Sequence, residues 1–175
     1  MRRQAATLAM ECFRGMQIVK GEIVVEFMPE GNSIPADIPR MIDKMREGHD
    51  LVIGSRYLGG AKSEDDDWFT AQGNWLFTFV VNILFWARYT DVLMEVRAYR
   101  RSVALTLGLD APGLSWPCQS SIRFARAGLQ VSEILAHEPP RIGATRKMKP
   151  SKTGCEICTL IMRDFLWFRP NRKVA

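Results

Sequence analysis

Apolar positions along this chain switch repeatedly between helical and extended spacing. From about Arg3 to Val19 they fall at Ala6, Leu8, Ala9, Cys12, Phe13 and Met16, with no breaker before Gly15, which predicts a helix. Gly21 opens the run EIVVEFM, whose β-branched residues suit a buried strand. After a polar turn, Asp37-Ile38-Pro39 starts a second helix, with Ile38, Met41, Ile42 and Met45 on one stripe and Gly48 as its stop. DLVIGS then reads as a short apolar strand. Helix, strand, helix, strand in this order predicts an α/β fold of Rossmann-like type, a mostly parallel sheet with helices on both faces. Ligands in such folds gather beyond the carboxyl ends of the strands, here Met28–Ser33 and Gly54–Tyr57.

Downstream, the polar loop GGAKSEDDDW leads into an aromatic helix from about Thr70 to Arg88. TDVLMEVRAYRRSV reads as a turn, a short strand and a helix start, and Asp91 and Arg97 are expected to pair with each other across that turn. A helix around Ser120–Arg126 and a strand at QVSEIL follow, separated by Gly128. Pro139–Lys152 is basic and loop-like, and Glu156–Trp167 is a final amphipathic helix. Residues 1–150 therefore read as one α/β domain and 151–175 as a basic C-terminal helix and tail.

Composition supports a single globular unit, with 47% apolar and 25% charged residues. Charge changes the picture more. From Pro139 onward nine Lys/Arg face only Glu156 and Asp164, a net +7 in a chain whose total is +5. Such an end is either plainly solvated or meets anionic lipid, a pyrophosphate or nucleic acid. Nucleic acid is disfavoured because no aromatics interleave with the cations. The acidic run Glu64–Asp67 reads as a solvated loop, and His49 and His137 are isolated.

The longest apolar run, WLFTFVVNILFW (75–86), carries Asn82 and is shorter than the roughly 20 residues needed to span a bilayer. It suits a core helix or one lying at a membrane interface. Met1-Arg2-Arg3 leads into a helical stretch, not an apolar leader, so a cytoplasmic location is expected. Cys155 and Cys158 form a CxxC with no second pair to complete four metal ligands.

Several stretches together resemble a known family. GEIVVEFMPEGNSIPADIPRMIDKMREGHDLVIGSRYLGG is similar to the middle of family 2 glycosyltransferases with the GT-A fold, in the dolichol- or polyprenyl-phosphate mannosyl- or glucosyltransferase branch. The family's Pro-x-Asp-Ile-Pro helix start is matched at Pro35–Pro39 and its Gly-Ser-Arg-Tyr at Gly54–Tyr57. Asp91, Arg97, Tyr99 and Arg100 stand in register with its Asp-x-x-x-Gly-Phe-Arg-x-Tyr-Arg segment, and SSIRFARAGLQVSEI resembles the helix and strand that follow. The resemblance covers residues 3 to about 145.

This resemblance implies a GT-A-like domain over 1–150 that is N-terminally truncated, beginning at the helix after the strands that bind the nucleotide. It also implies transfer of a hexose from a sugar nucleotide to an acceptor such as polyprenyl phosphate, at the inner face of a membrane. Ser55, Arg56, Arg97, Arg141, Arg146 and Lys147 are the implied phosphate or substrate contacts. Glu30 and Asn32 are the implied ligands of a Mg²⁺ or Mn²⁺ ion. The family's Asp-x-Asp is replaced by Met28-Pro29-Glu30, in which Met28 offers a soft thioether, so metal binding is expected to be weakened. Some relatives carry Ser-Pro-Asp-Gly-Asn-Ser at this turn, which Met28–Ser33 resembles. The alternative reading is a non-catalytic remnant or regulatory module that binds lipid phosphate or a partner chain, the partner covering the missing strands.

Overall fold

A computed structural model describes residues 12–28, 31–61, 63–64, 67–140 and 150–168. Residues 12–18 are helical (α1) and lead to β1 (Ile23–Glu26), α2 (Asp37–Arg46) and β2 (Leu51–Ser55). Next come α3 (Trp68–Phe85), β3 (Arg97–Arg100), α4 (Arg101–Thr106), a 3-10 turn at Gly113–Ser115, α5 (Trp116–Arg126), β4 (Val131–Leu135) and α6 (Pro150–Trp167). The expected alternation of helix and strand is therefore present. The last helix starts earlier than its amphipathic pattern suggests.

The four strands are ordered β1-β3-β2-β4. β3 runs antiparallel to both β1 and β2, while β4 is parallel to β2. Three strands thus share one direction, but only the β2–β4 pairing is parallel, so the sheet is mixed where a mostly parallel one is expected. The correction is that the reversed β3 lies between β1 and β2, so those two strands are not neighbours. Sequence periodicity cannot show this, because a buried strand reads the same in either direction.

Register shows how the faces are used. Val52 pairs with Ala98, and the face they share with Gly54 meets α2, where Met41 Cε lies 3.5 Å from an ideal Cβ on Gly54. Ile53 pairs with Arg97 and Leu51 with Tyr99, and on that opposite face Tyr99 packs against Phe124 of α5. Leu51, Val52, Ile53 and Ala98 are fully buried between these layers.

α6 belongs to the same core, burying Ile157, Leu160 and Ile161. Arg123 of α5 donates from Nε to Asp164 Oδ2 at 2.7 Å and from NH2 to Oδ1 at 3.1 Å, a buried two-pronged ion pair that pins α5 to α6. Asp164, one of the two acids in the basic C-terminal segment, is therefore an internal counter-charge.

Candidate functional site

The carboxyl ends of β1, β2 and β4 and the amino end of β3 lie at one edge of the sheet. The residues just beyond these ends form a buried polar network. Arg56, next after β2, donates from Nε to Asp91 Oδ2 at 2.7 Å and from NH2 to Oδ1 at 3.1 Å. Its NH1 donates to Glu138 Oε2 at 3.2 Å, from the segment after β4. Glu138 also accepts from Asn32 Nδ2 at 2.9 Å and from Ser63 Oγ at 2.6 Å. Asn74 of α3 donates to Asp91 Oδ1 at 2.9 Å. A single guanidinium thus ties the Gly-Ser-Arg-Tyr turn to Asp91 before β3, to the stretch after β4 and, through Glu138, to the turn after β1.

Electrostatics explain why this network holds its charge. Burial alone would raise the Asp91 carboxyl. The charge and hydrogen bonds of Arg56, with the Asn74 amide, outweigh it and hold Asp91 below the usual carboxylate range. On β4, Glu133 accepts from the Thr90 and Asp91 backbone amides, at 2.9 and 3.2 Å from Oε1, and fixes the loop that carries Asp91. Burial is the largest influence on Glu133 and pushes its carboxyl upward.

Of the expected site residues, Asn32, Ser55, Arg56 and Arg97 have a definite place here. Ser55 is fully buried, and its Oγ shares a 2.5 Å hydrogen bond with Thr90 Oγ1. Arg56 is buried, and its fork is held by Asp91 and Glu138. Arg97 does not form the expected ion pair with Asp91, whose oxygens serve Arg56. It is fully buried, and its bonds run to Met94 O, Val92 O, Ser120 Oγ and Ser121 Oγ at 2.6–2.9 Å. Glu30, Arg141, Arg146 and Lys147 lie outside the described residues. Sequence reasoning missed Asn74, Glu133 and Glu138 as members of the network. The only available signal was polar residues standing at otherwise apolar positions.

Asn32 is 4% exposed, and its Oδ1 has no hydrogen-bond partner while its amide nitrogen serves Glu138. That hard oxygen beside the β1 turn suits a divalent cation or a sugar hydroxyl. Among the described residues no cluster of three or more His, Cys, Asp or Glu could hold a metal. The Cys155–Cys158 pair is exposed on α6 as free thiols. A cavity of about 370 Å³ between α6 and the Gly113–Ser115 turn shares no residue with the network.

Comparison with known proteins agrees with the geometry. The fold is that of glucosyl-3-phosphoglycerate synthase from Mycobacterium tuberculosis, solved with Mn²⁺, UDP-glucose and phosphoglyceric acid. The TM-score is 0.62 at 18% identity, covering 88% of this chain and 53% of that one. The uncomplexed enzyme gives 0.60 at 18% identity, with the same coverage. The chain therefore has an α/β fold of the GT-A kind.

No protein-family model matches the sequence. Over 118 residues it is 30% identical to undecaprenyl-phosphate mannosyltransferase of Micrococcus luteus, covering 65% of this chain and 47% of the relative. Dolichyl-phosphate hexose transferase of Haloferax volcanii is 28% identical over 127 residues, covering 72% and 54%. Polyprenol monophosphomannose synthase of Mycolicibacterium smegmatis is 27% identical over 119 residues, covering 64% and 43%. The sequence is thus similar to polyprenyl-phosphate sugar transferases. The chain spans about half the length of the curated relatives it matches.

Proposed function

We propose that this chain serves hexose transfer from a nucleotide sugar to a polyprenyl phosphate, as the half of a GT-A site that lies beyond the carboxyl ends of β1, β2 and β4. The observation that carries this reading is the Arg56 network, which converges on that end of the sheet from the turns after three strands and from the loop before β3. Arg56 and Ser55 act as positioning residues: they hold the turn and the Asp91 loop in register. Arg141, Arg146 and Lys147 supply the charge that meets a diphosphate or lipid phosphate, since the cations inside the network are already neutralised. Arg97 supports the floor of the site from beneath.

A Mg²⁺ or Mn²⁺ ion would be held by the Glu30 carboxylate and Asn32 Oδ1. The chemistry it would supply there is charge compensation for the leaving diphosphate. The protein works at the cytoplasmic face of a membrane as a peripheral component, and among the described residues no helix is long and apolar enough to cross one.

Calorimetric titration of the chain with UDP- and GDP-sugars, with and without Mn²⁺, tests the reading directly. Metal-dependent binding that is lost in Glu30→Gln is expected, followed by hexose transfer to a polyprenyl phosphate. Absence of nucleotide-sugar binding by a folded chain overturns autonomous catalysis and leaves the module that binds a lipid phosphate or partner chain.

A further inference from the structure

α3 is built inside out. Two of its four buried residues are polar: Asn74 bonds Asp91, and Thr78 Oγ1 accepts from the Val92 amide. Its outward stripe is apolar, with Trp68, Trp75, Phe79, Ile83 and Trp86 at helical spacings of seven, four, four and three. Trp75 and Phe79 stack with ring centroids 5.5 Å apart, so part of the stripe is ordered before anything binds it.

The stripe continues onto a second helix. Phe85 of α3 meets Phe165 of α6 edge to face at 6.0 Å, bringing the two C-terminal ends together. There Trp86 is 95% exposed and Trp167 is 73% exposed, with Leu166 and Met162 beside them on α6. Trp86 adopts φ 55°, and among the described residues it is the one non-glycine in the left-handed region. An L-residue pays backbone energy for that conformation, and here no buried contact of the indole repays it.

We infer that the joined C-terminal ends of α3 and α6 dock into the headgroup layer of an anionic lipid bilayer, with Trp86 and Trp167 as anchors and the α3 stripe lying along the surface. Charge singles out this occupant. Exposed Arg88 lies two residues after Trp86, and Arg169, Arg172 and Lys173 follow Trp167 in the sequence, so each anchor has cations close to it along the chain. Indoles with neighbouring cations at helix ends suit the boundary between headgroups and acyl chains, where each ring keeps one wet edge. The inference deepens the lipid-acceptor reading by naming the docking face, yet it is measured without sugar or acceptor, so either can fail alone.

The test is flotation of the full chain with phosphatidylcholine vesicles and with the same vesicles containing phosphatidylglycerol, alongside brominated-lipid quenching of tryptophan. Binding to the anionic vesicles, weakened by salt, is expected, with at least about a tenfold loss of partitioning in Trp86→Gly or Trp167→Ser. Trp86→Gly removes the left-handed strain and no buried contact, so it should melt at or above wild type and its loss of binding cannot come from misfolding. Failure of the wild-type chain to bind anionic vesicles overturns the inference. So does unchanged partitioning of both variants, or a concentration-dependent dimer by sedimentation that Trp86→Gly abolishes.

Discussion

Asp91 lies fully buried against Arg56, its two oxygens 2.7 and 3.1 Å from Nε and NH2, and it is the principal counter-charge of that guanidinium. Removing one partner of such a pair leaves an uncompensated charge inside the protein. Asp91→Asn should therefore cost about 3–5 kcal/mol in urea unfolding, whereas Arg56→Met with Asp91→Asn should cost clearly less than the two single losses summed. The pH dependence has a definite sign. Asp91 is held below its ordinary 3.8, so its stabilisation is present above 3.8 and is lost as pH falls through the lowered value. Asp91→Asn should flatten that acid limb.

Glu26 behaves in the opposite way. It stands across from Arg97 in the register of β1 and β3, and its Oε2 accepts from Tyr99 OH at 3.0 Å and Trp116 Nε1 at 3.1 Å. Burial pushes its carboxyl above the ordinary 4.5, and the Cys12 thiol, Tyr99, Arg97 and Trp116 only partly reverse this. The native state then holds its proton more tightly than the unfolded chain. The stability it contributes is present below 4.5 and lost as pH rises through the raised value. Glu26→Gln keeps an acceptor for Tyr99 and Trp116 and should raise stability by about 1 kcal/mol at about pH 8. Melts at about pH 4 should show little difference.

These two carboxylates mark where the sequence is legible and where it is not. The strand and helix positions, the Gly54–Tyr57 turn and the location of the site beyond the strand ends all follow from local periodicity and motif order. Pairing partners do not. Asp91 and Arg97 are close in sequence, but Asp91 faces Arg56 across a loop while Arg97, on β3, points to the face covered by α5. The order β1-β3-β2-β4 and the fates of Glu26, Glu133 and Glu138 depend on which segments meet in space, and a single sequence carries no signal for that. The aromatic helix illustrates the same limit. Its apolar run favours a core helix, and only packing shows that Asn74 and Thr78 face inward while three tryptophans face out.

Thiol reactivity should divide the cysteines sharply. Cys155 and Cys158 are exposed on α6, whereas Cys118 is fully buried on α5 and burial pushes its thiol up to about 12. The thiolate is the reactive form. At about pH 8, iodoacetamide followed by peptide mass spectrometry should modify Cys155 and Cys158 about a thousandfold or more faster than Cys118, until denaturant exposes Cys118. Comparable native labelling of all three would contradict the packing of α5 against the sheet.

Gly54 is fixed by close approach. Its amide donates to Val96 O at 3.0 Å, which brings β2 tight against the segment entering β3. A Cβ built there would lie 3.1 Å from Ala136 Cβ, 3.5 Å from Met41 Cε and 3.5 Å from Val96 O. The methionine methyl can swing away, but Ala136 Cβ is attached directly to backbone that follows β4 and is hydrogen-bonded to Ser55 O at 3.0 Å. Gly54→Ala must therefore spread β2 from the end of β4, the two segments that carry Arg56 and lead to Glu138. The expected cost is about 1–3 kcal/mol in chemical denaturation, and on the proposed function any nucleotide-sugar affinity should fall as the Arg56–Glu138 contact opens. Ala136→Gly removes the opposing methyl, so the double variant Gly54→Ala with Ala136→Gly should recover much of the loss. If instead the double variant is as unstable as the sum of the singles, contact between these two positions is not what requires glycine at 54.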